Sequence, residues 1–468
     1  MEGKGMKIDV LVAEIGSTTT VVNAFHNLCS SNPTFLGQGQ GVTSVEEGDV
    51  TIGLHEAMED LKKRLGIHDL EYGRFLATSS AAGGLRMTVH GLVHDMTVKA
   101  SREAALGAGA IIRQVTSGRL KPSDLRKIGE IRPNIIMIAG GLDHGERDTA
   151  LYNAEKIVEL GLNVPVIYAG NADNVEDIIE IFSGYKGKLY ITENVYPKVD
   201  VLNVEPARKI IQEVFEEHII HARGMEKVHE LVRGRILPTP GAVMESAKVL
   251  KEVLGDLMII DVGGATTDVH SVTRGSEEIS RILIAPEPEA KRTVEGDLGV
   301  YVNRRNLVSR IGEEKLKTEL NISEIDIDDL PPIPRNLLER EIIRRLTAEA
   351  VFASVLRHAG SVRNLYGEST GRKSVAEGKD LTEVKYIIGT GGALTRINDM
   401  DRVLKDIHLE SRGQRLYPKK EAKVLLDQDY LLASLGVLSL EYKEAAVKLM
   451  LKSLHLDERE GERNVPMH

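Results

Sequence analysis

Cysteine is nearly absent: Cys29 is the only one in 468 residues. A single thiol forms no internal disulfide, which fits a reducing compartment. It also excludes a CxxC centre or a four-cysteine zinc site within one chain. Tryptophan is missing and aromatics make up 4% of the chain, so the core must rest on Ile, Leu, Val and Ala. There is no basic excess: 60 Lys and Arg stand against 70 Asp and Glu, a formal charge of −10. With no basic block and no aromatic-basic interleaving, nucleic acid is excluded as a partner. Apolar runs are short and end in Asp or Gly, so no transmembrane helix is expected. The stretch Met1–Asp9 lacks the apolar segment of a signal peptide, and a cytoplasmic location without a membrane partner is the expectation. No GxxxxGK[ST] loop occurs, which removes P-loop chemistry. His90 and His94 are four apart, yet Gly91 stands where an HExxH motif has glutamate, and His218 and His221 are three apart. Both pairs read as packing or surface histidines.

What is present centres on Met258-Ile-Ile-Asp261-Val-Gly263-Gly264-Ala-Thr266-Thr267-Asp268-Val269. An apolar β-branched run predicts a buried strand. Gly263 and Gly264 then let the chain turn tightly and bring its amides against a ligand, and inward amides suit phosphate oxygens. Thr266 and Thr267 offer hydroxyl donors. Asp261, at the strand end, can hold the waters of Mg²⁺, an ion that borrows phosphate oxygens for the rest of its shell. Taken alone, the motif also reads as a plain β-hairpin with a Gly-Gly turn.

A second copy lies at Ile8–Val22, with Glu14, Gly16 and the hydroxyl cluster Ser17, Thr18 and Thr19. A third glycine site, Tyr386-Ile-Ile-Gly389-Thr-Gly391-Gly392-Ala-Leu-Thr-Arg396, follows another apolar strand and leads into a helix. Three such turns in this order resemble the actin-like ATPase superfamily of sugar kinases, heat-shock ATPases and actin. The resemblance implies an α/β fold of two related actin-like (ribonuclease H-like) domains, with one phosphate loop from each and the third turn as the adenosine loop. The expected division is 1–237 for the first domain, 238–424 for the second after the Pro238–Gly241 boundary, and 425–468 as a hinge helix and a tail returning to the first. Alternating strands and helices over about 131–200 predict an α/β unit inserted in the first domain, whose strand ends are candidate ligand positions. Val98–Arg113, rich in Ala and Gly, and Leu425–Leu438, an apolar helix with small residues, are the hinge candidates. Residues 310–345 read as an exposed charged helical region, and Glu295 and Asp297 as acids able to reach a metal-bound water.

Further stretches resemble a narrower group, the glutamate mutase accessory (MutL or GlmL) family: EIGSTTT, SSAAGGLRM, AALGAGA, VGGATTDVHSV, KRTVEGDLGV, GTGGALTR and DYLLASLGV, reaching from residue 14 to about 437. The resemblance implies a chaperone-like ATPase that reactivates or protects an adenosylcobalamin-dependent mutase. No DxHxxG pattern is present, so the chain is not expected to carry cobalamin. ATP and Mg²⁺ are the implied cofactors. Glu14 and Asp261 would attend the metal. Gly16, Ser17, Thr18, Thr19, Gly263, Gly264, Thr266 and Thr267 would hold phosphates. Gly389, Gly391 and Gly392 would admit adenosine, and Glu14, Asp261 and Asp268 are the catalytic candidates, with Asp268 or Glu14 orienting water. Glu14 departs from the aspartate usual in the wider superfamily. The alternatives are a small-molecule kinase or ATP-dependent amidohydrolase of the same fold, or an actin-like scaffold. An electron-donating dehydratase activator is excluded, since its cluster needs thiolates that Cys29 cannot supply even in a dimer.

Overall fold

The structure, a computed structural model, describes residues 7–16, 19–43, 49–80, 85–220, 228, 231–232, 236–324, 326–331, 333–367, 371–407 and 414–456. Its strands in chain order are β1 (Ile8–Ile15), β2 (Thr19–His26), β3 (Thr34–Val42), β4 (Tyr72–Ser79), β5 (Arg86–Gly91), β6 (Ile111–Ser117), β7 (Ile135–Ile138), β8 (Val166–Tyr168) and β9 (Leu189–Ile191). They continue with β10 (Ile236–Pro238), β11 (Leu257–Val262), β12 (Thr267–Val272), β13 (Ala290–Glu295), β14 (Ser361–Gly367), β15 (Gly371–Glu377), β16 (Tyr386–Thr390) and β17 (Lys423–Leu426). Two compact units result, one of residues 1–81, 227–284 and 289–468, the other of 82–226 and 285–288.

The first unit holds two five-stranded sheets of one design. Their orders are β3-β2-β1-β4-β10 and β13-β12-β11-β16-β17. In each, three antiparallel strands lead and two parallel strands follow. The local reason is the same twice. An apolar run ends in an acid, a short glycine turn reverses the chain, and reversal allows only antiparallel pairing. The parallel neighbours need crossovers, supplied after β3 by the helix Thr51–Leu65 and after β13 by segments that include the helix Leu337–His358. This is the duplicated α/β arrangement that the repeated turns predict.

Val10, Val12 and Phe25 of the first sheet share one buried core with Leu257 and Ile259 of the second. The helices Thr239–Leu254 and Leu432–Ser439 complete it. These helices touch at Gly436, where a Cβ would stand 1.9 Å from the Ala242 carbonyl oxygen. Ser246 Oγ donates to the Leu432 carbonyl at 2.5 Å. The small residues read from the sequence are therefore a helix crossing. The helix itself is shorter than expected: Leu425 and Leu426 belong to β17, and residues 427–431 form a turn before Leu432. The highly charged 310–345 region is largely exposed, as expected, up to the long helix Leu337–His358, in which Ile342, Ile343, Leu346 and Val351 form a buried stripe spaced at helical period between the charges.

The second unit is a parallel sheet of order β6-β5-β7-β8-β9, the doubly wound order of flavodoxin-like folds. The segment 131–200 is its later part, since β5 and β6 belong to the same sheet. The expected helix Val98–Arg113 runs only over Lys99–Gly107. Gly109 takes φ +91°, and Ile111-Ile112 start β6. The Arg208 guanidinium lies over Gly107, 2.3 Å from where a Cβ would be, so tight packing accounts for that glycine.

We predict that Gly436→Ala costs about 2 kcal/mol or more, the range of overpacking a filled core, because the facing atom is backbone and cannot rotate away. Chemical denaturation of the variant beside the parent checks this, and an unchanged midpoint contradicts it.

Candidate functional site

Glu14 ends β1 and Asp261 ends β11, at equivalent places in the two sheets. Gly16 N–H donates to the Thr19 carbonyl at 2.9 Å, and Gly263 N–H to the Thr266 carbonyl at 2.9 Å. Both motifs are thus closed hairpin turns, and the plain hairpin reading and the ligand reading describe one object. Ser17 and Thr18 lie outside the described residues, as do Ala81–Gly84 of the further glycine turn. The carbonyls of Gly263 and Gly264 accept the amides of Val300, Tyr301 and Val302 at 2.8–3.2 Å. A trans peptide points its N–H opposite to its C=O, so the amides of Gly264 and Ala265 face away from that backing segment.

The acids converge. Asp268 stands opposite Asp261 in the β11–β12 register. Burial first, then the charges of Asp268 and Glu14, hold the Asp261 carboxyl well above its ordinary range, while part of the residue stays open. Glu14 is 5% exposed. Burial pushes its carboxyl up to about 7, opposed by a hydrogen bond from Tyr430 and reinforced by the charge of Asp427. Its Oε1 accepts the Tyr430 hydroxyl at 2.6 Å, whereas Oε2 is buried without a partner among the described residues. Asp268 is the settled member: Arg292 donates through Nε at 2.9 Å and Nη2 at 2.6 Å to Oδ1, and Thr266 Oγ1 donates to Oδ2 at 3.0 Å.

The remaining predicted residues divide. Thr267 Oγ1 donates to the Leu298 carbonyl at 2.8 Å, on the opposite face of β12 from Asp268. Gly389 sits among Leu394, Leu404 and Leu426 and serves the core. Gly391, at φ +89°, passes under β11: a Cβ would meet Asp261 Oδ1 at 2.5 Å and Val262 O at 2.5 Å. Gly392 faces open space and begins the short helix Gly392–Thr395. Glu295 and Asp297 do not stand free for a metal-bound water, because Arg357 pairs with both. His90 and His94 share no helix face. His90 is a buried β5 residue between Thr116 Oγ1 at 2.8 Å and Thr88 Oγ1 at 3.0 Å, and His94 is exposed. In the second unit the carboxyl ends of the strands, a candidate ligand position, carry a side-chain hydrogen-bond network. Asn194 Nδ2 donates to Gly141 O and Asp143 Oδ1, and Asn171 Oδ1 accepts His144 N and Asp173 N.

Sequence reasoning missed Arg292, Asp427, Tyr430 and Arg396. Asp427 lay inside Leu425–Leu438 as an unremarked charge in apolar company, which is the signal that could have found it, whereas Arg292, between Lys291 and Thr293, carried none. Asp427 accepts from Thr390 Oγ1 at 2.9 Å, Ser453 Oγ at 2.5 Å and the amides of Leu431 and Leu432. Tyr430, at φ +54°, carries the Arg396 guanidinium over its ring at 5.6 Å.

The donor set suits Mg²⁺ better than a metal that needs a full protein cage. Among the described residues no cluster of three or more His, Cys, Asp or Glu is placed to hold a metal ion. Mg²⁺ commonly takes one or two carboxylates and keeps its waters, and Glu14 Oε2 is an orphaned buried acceptor of that kind. Four acids, Glu14, Asp261, Asp268 and Asp427, gather with Arg292 and Arg396 as the cations that act on them. An uncompensated surplus of buried negative charge is costly, and a divalent cation would offset it.

The duplicated sheets define an α/β protein of the actin-like (ribonuclease H-like) fold class. The chain belongs to the MutL protein family, whose model matches residues 10–454. It is 33% identical over 460 residues to Protein MutL of Clostridium tetanomorphum, covering 95% of this chain and 98% of that one. Among solved structures it is similar to a diol dehydratase-reactivating factor in nucleotide-free form, at TM-score 0.35 and 11% identity, over 94% of this chain and 100% of that one. A glycerol dehydratase reactivase gives TM-score 0.31 and 11% identity, over 86% and 96%. No helix among the described residues is long and apolar enough to cross a membrane.

The Glu14 carboxyl yields a pH prediction. Its value is about 7 in the folded chain against an ordinary 4.5, so the folded state binds more protons than the unfolded state between those limits. Stability from this group is complete below pH 4.5 and lost as pH rises through 7. Glu14→Gln should therefore raise the stability of the ligand-free protein at pH 8 by up to about 3 kcal/mol and leave it unchanged near pH 4.5. Thermal melts of both proteins across this range are the check, and a gain equal at both ends refutes it.

Proposed function

We propose that the chain binds and hydrolyses ATP with Mg²⁺ and uses the cycle to reactivate or protect an adenosylcobalamin-dependent mutase of the glutamate mutase type. The observation that carries the nucleotide reading is the meeting of Glu14 and Asp261, from equivalent ends of duplicated sheets, around an unpartnered buried oxygen. Membership of the MutL family supports the accessory role, and the implied link of that family to glutamate mutase supplies the partner.

Each residue then has a task. Glu14 and Asp261 hold the waters of the metal. Gly16, Ser17, Thr18 and Thr19 from one turn, and the outward amides of Gly264 and Ala265 from the turn that Gly263 and Thr266 close, receive the phosphates. Gly392, with open space beside it, is the approach for adenosine, and Gly391 shapes the strand end beneath. Mg²⁺, when bound, supplies positive charge that neutralises the phosphates. Asp268, held and aimed by Arg292 and Thr266, orients the attacking water. Phosphoryl transfer asks for little beyond this positioning and charge neutralisation. Nucleotide drives a conformational change only through unequal affinity for two states, and the expected hinge helices are where such a change would act.

The test combines the protein with inactivated adenosylcobalamin-dependent glutamate mutase, MgATP and fresh adenosylcobalamin. Mutase turnover should return with the parent chain. It should fall at least tenfold with Asp261→Asn, which removes one of the two carboxylates assigned to the metal. No recovery with the parent chain and its cognate mutase overturns the accessory reading.

A further inference from the structure

Tyr430 is a bulky residue in left-handed backbone, at φ +54°, a region where such side chains are genuine outliers. Strain of this kind persists when the surroundings over-determine it, and it gathers at functional positions. Here the surroundings are explicit. Asp427 fixes the following amides: Leu431 N donates to Oδ2 at 2.8 Å and Leu432 N at 2.9 Å. Tyr430 N donates to the Asp427 carbonyl at 3.0 Å. The Arg396 guanidinium caps the ring at 5.6 Å and is itself held by the side chains of Gln40 and Gln38. The product of this scaffolding is one hydrogen bond, from the Tyr430 hydroxyl to Glu14 Oε1 at 2.6 Å.

Glu14 is one methylene longer than Asp261, the acid at the equivalent strand end of the second sheet. Its additional methylene gives the carboxylate a longer arm and one more rotatable bond, so it needs an external restraint to hold a fixed position. The Tyr430 hydroxyl occupies one oxygen and leaves Oε2, buried and without a partner, as the atom presented to a ligand. We infer that Tyr430 is a positioning residue that clamps the long arm of Glu14 so that Oε2 alone faces the metal side of the site. This rests on the metal–nucleotide reading above. Groups behind a metal ligand commonly set affinity by 10–100-fold.

The experiment is a double-mutant cycle on the full chain with Tyr430→Phe, Glu14→Asp and the pair. Mn²⁺ binding in the presence of ADP is followed by the loss of the free-ion electron paramagnetic resonance signal, beside kcat and KM for ATP. Tyr430→Phe keeps the ring and its packing, and circular dichroism melts report whether folding is intact. We expect Tyr430→Phe to weaken Mn²⁺ binding about tenfold and to leave metal-free ADP affinity unchanged. In the Glu14→Asp background, where the shorter side chain does not reach the hydroxyl, the same change should have no further effect. Equal losses in both backgrounds, or undiminished Mn²⁺ binding by Tyr430→Phe, overturn the inference while the nucleotide reading stands. Failure of the parent chain to bind Mn²⁺ with ADP overturns both.

Discussion

The structure of the site depends on a carboxylate that touches no ligand. Asp427, fully buried, takes hydrogen bonds from Thr390 at the end of β16, from Ser453 of a C-terminal helix, and from the amides that open the helix Leu432–Ser439. Three separate elements are thereby fixed to one group. An acid at a helix start also meets the positive end of the helix dipole, which offsets part of its desolvation, although burial still raises it above its ordinary range. From this anchor two reaches are set toward the first sheet. Tyr430 extends to Glu14, and Ser434 accepts from Asn23 of β2 at 2.8 Å.

Charge explains what a bound cation would relieve at the site. Asp268 has its counter-ion in Arg292, a pair that is almost wholly buried. Asp261 and Glu14 have no such partner, and each raises the cost of ionising its neighbour. Protons can relieve the surplus at low pH. In the proposed cycle a metal relieves it near neutrality, and the two compete for the same oxygens. The acids read from the sequence as possible auxiliaries, Glu295 and Asp297, share the single cation Arg357.

Much of this was legible in the chain itself because it is written locally. A β-branched run, an acid and a glycine turn produce a strand and a reversal wherever they occur, and their recurrence announced the duplication. The helix Thr51–Leu65 also follows from its spacing, Leu54, Ala57 and Leu61 being buried. The failures are of another kind. Leu425-Leu426 is as apolar as the helix it precedes, and only pairing with β16, 36 or so residues upstream, makes it a strand. Lys99–Gly107 stops where β-branched residues find a partner in β5. Arg292 and Tyr430 carry no local signature, since their importance lies in partners 24 and 416 positions away. Gly389 and Gly391 were read as ligand glycines, whereas three leucines pack where the first lacks a Cβ and β11 passes over the second.

The two hairpins share a topology and have diverged in how they restrain their acids. In the second, the strand-end acid is the shorter Asp261, which lies against Gly391 and whose cross-strand neighbour Asp268 is pinned by Arg292. In the first, the acid is a long Glu14 whose cross-strand neighbour is Val21, a residue that offers no hydrogen bond. Restraint must then come from outside the hairpin, and the only direct hydrogen bond among the described side chains comes from Tyr430, 416 positions downstream. A longer acid and a distant tyrosine are thus one solution rather than two accidents. The reach of the first makes the second necessary, and the strained backbone of the second has a purpose only while the first is glutamate.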